Sequence, residues 1–116
     1  MDKYERSAER ILMKCGCYPA LAGFETLRIA IGLIAKEPTA VHNLRKRVHP
    51  YVAERLGLSA NAAQTYSYRG FYTILDHVDL RTIASELRYY PANGEEYTLK
   101  EFLVAVAIAV RREVEG

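Results

Sequence analysis

Apolar residues recur every three to four positions through almost the whole chain, and no segment alternates apolar and polar residues long enough to make a strand. The pattern predicts an all-α fold, a single compact bundle of about six helices. A first helix runs to about Cys15 and is ended by Gly16. A second starts near Pro19, with Leu21, Phe24, Leu27, Ile31 and Ile34 on one face, and stops at Glu37-Pro38. Thr39 can cap a third helix through Arg47, after which Pro50 either opens the next helix or bends a continuous one. Asp79 can cap a short helix through Leu87, and Arg88 to Tyr97 reads as a loop or small wing. Thr98 and Glu101 fit the capping box of a last helix, whose stripe is Leu99, Phe102, Leu103, Val106, Val110 and Val114. Its middle, with Val104, Ala105, Ala107, Ile108 and Ala109, is apolar nearly all round. That predicts cover on both sides, by central burial in the domain or by a second copy.

Between these elements, residues 52 to 69 have the spacing of a helix-turn-helix. Ala53 is small where two helices must cross, Gly57 can take the positive-φ corner, and Val52, Leu56 and Leu58 fill the core beneath it. Ser59 caps the second helix, with Ala63, Tyr66 and Gly70 directed inward. The opposite face carries Asn61, Gln64, Thr65, Tyr68 and Arg69, all able to hydrogen-bond to a base edge or a phosphate. An ordinary helical hairpin with a solvated side would use the same letters.

Charge favours the first reading, although a solvated Lys/Arg run is common and would alone prove nothing. The chain carries a net charge of only +2, yet His42 to Arg69 holds five basic residues, Arg45, Lys46, Arg47, Arg55 and Arg69, against one acid, Glu54. A cationic patch coincident with the turn is the footprint of phosphate contact and points to double-stranded DNA. Asn61, Gln64, Thr65 and Tyr68 are then the base-reading candidates, and the five basic residues contact phosphates.

With 116 residues, half of them apolar, one globular domain is expected. The apolar runs are too short for a bilayer, and MDKYERSAER lacks a secretory apolar stretch, so a cytoplasmic protein is expected. Cys15 and Cys17, one residue apart, read as reduced thiols at a helix end rather than a disulfide or metal site. His42, His49 and His77 are isolated and read as surface or capping residues. No phosphate-cradling loop, HExxH or nucleophile elbow is present, so neither an enzyme nor a cofactor is expected.

Several fragments resemble the DNA-binding effector domain of the stage 0 sporulation protein A family, over about Ala8 to Glu113. Gly16 and Gly23 keep that family's seven-residue interval, and Gly23-Phe24-Glu25-Thr26-Leu27-Arg28-Ile29-Ala30-Ile31 matches its G-aromatic-x-x-L-R-x-A-I signature. His49-Pro50-Tyr51-Val52-Ala53 is similar to its aromatic-P-x-I-A. Glu101-Phe102-Leu103-Val104-Ala105, followed by Arg111 or Arg112, looks like its closing helix. The resemblance implies a six-helix bundle that binds a short DNA box, as tandem or dimeric copies, and contacts RNA polymerase to regulate transcription. It also implies a stand-alone relative, or an isolated domain, without the receiver that normally precedes it.

The departures fall on the reading helix. Where the family has arginines, a glutamate and a histidine, this chain has Asn61, Ala62, Gln64, Thr65, Tyr68 and Arg69, with Arg69 in place of the histidine. The proline after Gly16 comes one position late, and the family's tryptophan is absent. Asn and Gln favour adenine, so one expected outcome is a more A·T-rich site. The other is a protein-interaction module on the same fold, with Tyr66, Tyr68 and Tyr72 as contact residues and Tyr66 the more suited to the core.

Overall fold

The computed structural model describes residues 1 to 116, folded as six α-helices with no strand, in a body of 34 × 31 × 26 Å. α1 is Lys3–Lys14, α2 Phe24–Lys36, α3 His49–Leu56, α4 Ala60–His77, α5 Leu80–Leu87 and α6 Leu99–Glu115. α1, α2 and α6 pack on one another, α3 lies against α2 and α4, and α5 leans on α6. No helix is long and apolar enough to cross a membrane.

The central position of α6 follows from its side chains. Phe102, Leu103, Val106 and Val110 are fully buried, each contributing about 1.5 to 3 kcal/mol relative to exposure. Ala105, Ala107 and Ala109 let α1 and α2 approach its flanks. Only Ile108, 42% exposed, and the half-buried Val104 remain outside, so one domain provides most of the cover that the all-round pattern required. The Thr98–Glu101 capping box opens the helix as expected. Asp79 caps α5 weakly, its carboxylate accepting from the Arg81 N–H at 3.4 Å.

Two boundaries differ from expectation. α2 begins at Phe24 rather than near Pro19, because Gly23 takes φ +88° and its position is pressed against α4. A Cβ at Gly23 would stand 2.1 Å from the Tyr66 carbonyl oxygen, and one at Gly70 would stand 2.9 Å from that of Ala22. The two glycines therefore let the 16–23 connection and α4 meet backbone to backbone. The third helix expected from Thr39 is instead a 3-10 turn, Pro38–Asn43, followed by a π turn, Leu44–Val48, and Thr39 makes no cap. Pro50 supplies the reason: lacking an N–H and crowding the carbonyl four residues back, it widens the preceding turn. The His49 N–H accordingly reaches Leu44, five residues back. Pro50 opens α3 rather than bending a longer helix.

Candidate nucleic-acid interface

α3 and α4 are joined by the short corner predicted at 57–59. Gly57 has φ +67°, the Leu58 N–H bonds the Ala53 carbonyl at 2.9 Å, and the Ser59 hydroxyl accepts from the Ala62 N–H at 3.0 Å. Val52 is fully buried beneath the corner. Leu56 and Leu58 are only half-buried and line a groove of about 360 Å³ shared with Pro19, Leu21 and Tyr66.

The inward stripe of α4 is Ala63, Ser67, Gly70, Phe71 and Ile74. Tyr66, expected inside, is 37% exposed, because the Gly23 contact is made by its backbone carbonyl. Its ring lies beneath the Arg69 guanidinium, 5.6 Å from the ring centre. Ser67, which looks polar in the sequence, is buried and donates to Thr26 at 3.0 Å, and Thr26 donates to the Gly23 carbonyl at 3.0 Å. This relay fixes the rotation of α4 about its axis, and with it the face turned to solvent.

Asn61, Gln64, Thr65 and Arg69 are exposed on that face, and the first three make no side-chain hydrogen bond within the fold. Tyr68 differs. It is half-buried, packs on the core, and stacks on Tyr72 with ring centres 5.8 Å apart and planes at 24°.

The basic residues divide in two. Arg45 and Lys46, on the π turn, are exposed and pair with no carboxylate. Arg47 forms a two-pronged bridge to Glu37 at 2.8 and 3.2 Å. Arg55 bridges Glu5 at 3.0 Å and donates to the Tyr51 hydroxyl at 3.0 Å. Both guanidinium groups lie over the Tyr51 ring, at 5.6 and 5.7 Å. The carboxylate hydrogen bonds raise the pKa of each arginine, against slight desolvation. Glu5 is 3% exposed and occupies the space left by Gly32, where a Cβ would meet its Cγ at 2.7 Å. Two of the five expected phosphate contacts are therefore already engaged, by acids that the local count around the corner left out.

His42 and His77 are exposed, whereas His49, expected at the surface or in a cap, is buried at the head of α3 with its Nδ1 unpartnered. Desolvation lowers its pKa. Burial pushes the Cys15 thiol up to about 12 and Cys17 to about 11, and both are free. No three of the His, Cys, Asp and Glu side chains converge to hold a metal. Neither the known family models nor the curated proteins match this chain.

Proposed function

We propose that the chain binds double-stranded DNA and regulates transcription, inserting the first half of α4 into the major groove. The observation that carries the reading is one exposed face bearing Asn61, Gln64 and Thr65, unpartnered within the fold, with the free cations Arg45 and Lys46 on the turn that leads into α3. The resemblance to the sporulation protein A effector domain supports it, and so does the positive end of the α4 dipole beside these side chains. Gln64 and Asn61 pair with adenine N6 and N7 and Thr65 meets a thymine methyl, so the preferred site is richer in A·T than the family's.

An anisotropy titration at two salt concentrations against random and A·T-biased duplexes tests this. Gln64→Ala is expected to cost about 1 to 3 kcal/mol on the preferred duplex and nothing on random DNA. Loss of Arg45 or Lys46 weakens all duplexes alike. Unchanged binding of Gln64→Ala on every duplex would end direct readout by α4. Affinity no better than about 10⁻⁴ to 10⁻⁶ M on any sequence would favour the second reading, a protein-interaction module. The observation behind that alternative is the engagement of Arg47 and Arg55 inside the fold.

A further inference from the structure

The second half of α4 faces different chemistry. Tyr68 and Tyr72, with Tyr97 at the end of the 88–97 loop, line a cleft of about 270 Å³ whose remaining walls include Asn93, Glu96 and Thr98. Three polar groups there are already engaged. The Tyr97 hydroxyl donates to the Tyr89 carbonyl, and the Thr98 hydroxyl accepts from the Glu101 N–H at 3.1 Å. The Asn93 side-chain oxygen accepts from the Glu95 and Glu96 N–H groups at 2.9 and 3.2 Å, which fixes the loop against the cleft. The Glu96 carboxylate has neither a hydrogen bond nor an ion pair, and no lysine, arginine or histidine lines the walls.

The exposed Tyr72 ring and the half-buried Tyr68 ring, with buried Tyr97 beneath them, stand beside one uncompensated carboxylate and complement a cation, and a planar guanidinium stacks on such rings better than an ammonium does. We infer that this cleft receives an arginine side chain from a partner protein. Exposed Glu95 and Glu96 repel phosphate, so α4 is divided: its first half suits a nucleic acid and its second half suits a basic peptide. The inference does not depend on the DNA reading.

An NMR titration of the full chain with Ac-Gly-Arg-Gly-NH₂, its lysine analogue and its citrulline analogue tests it. Saturable shifts are expected at Tyr68, Tyr72, Glu96 and Thr98, with arginine binding tighter than lysine and roughly three- to tenfold tighter than citrulline. Glu96→Gln and Tyr72→Ala should each weaken the arginine peptide, while Tyr72→Phe, which keeps the ring, should not. Both residues are exposed, and Glu96→Gln carries the test if the tyrosine variant misfolds. Equal binding of arginine and citrulline, shifts mapping elsewhere, or no saturation would overturn it. So would a thymidine dinucleotide saturating the same resonances where the arginine peptide does not, since that would make the cleft a base-stacking site. The titration contains no duplex, so its failure is distinct from failure of the DNA reading.

Discussion

His49 shows what one residue's surroundings do to its charge. In the sequence it is indistinguishable from His42 and His77; in the fold it alone is buried, with no partner for Nδ1 and its pKa below the usual 6.5. A base whose folded pKa is lowered stays neutral in the native state while the unfolded chain takes up its proton. Its contribution is present above the unfolded pKa and is lost as pH falls from there through the lower, folded pKa. The carboxylates of Asp2 and Glu101 have folded pKa values lowered from 3.8 and 4.5, so their effect comes at lower pH. Urea unfolding is therefore expected to show stability level from pH 8 to 7 and already falling between about 6.5 and 5. His49→Gln should flatten that interval whatever its overall stability, and a slope that persists in the variant would assign it elsewhere.

Elements were legible where their signals are local. The Gly57 corner, the caps at Ser59, Asp79 and Thr98, and the stripe of α6 each depend on residues within a few positions, and each appears where periodicity and capping chemistry put it. The start of α2 was not legible, because what stops the helix at Gly23 is the backbone of α4, more than forty residues away. For the same reason Ser67 and Tyr66 exchanged places: contact with Thr26 and Gly23 decided which faced inward, not polarity. Gly70→Ala tests this crossing. In a free helix alanine gains about 1 kcal/mol over glycine. Here its methyl would lie 2.9 Å from the Ala22 carbonyl oxygen and 3.0 Å from Leu27 Cδ1, and overpacking of this kind costs about 1 to 3 kcal/mol. The variant should melt lower than the parent despite its better propensity. Gly57→Ala, with open space around its Cβ, should cost only the positive-φ penalty of about 1 to 2 kcal/mol. A Gly70→Ala variant as stable as the parent would show that the crossing relaxes freely.

At the scale of the whole molecule the decisive feature is which charges the fold uses internally. The sequence places five basic residues near the corner, but Glu5 is fifty positions from Arg55 and lies on α1, so no local count could register their pairing. Arg55→Ala leaves Glu5 nearly buried, with the Arg28 guanidinium 3.9 Å away as its remaining neighbour. Removing one partner of a fully buried pair costs about 3 to 5 kcal/mol; because the Arg55 side chain is 38% exposed, about 1 to 3 is expected. Lys46→Ala touches no such network and should alter stability by less than about 0.5 kcal/mol. On DNA the order reverses: Lys46→Ala should reduce the slope of log affinity against log salt by about 0.9, the share of one phosphate, and Arg55→Ala should leave it unchanged wherever the variant is folded. Thermal melts and salt titrations of the same two proteins therefore give opposite rankings. An Arg55→Ala protein that keeps its stability and loses a full phosphate's share of the slope would mean that Arg55 leaves Glu5 for the nucleic acid and acts on DNA beside Arg45 and Lys46.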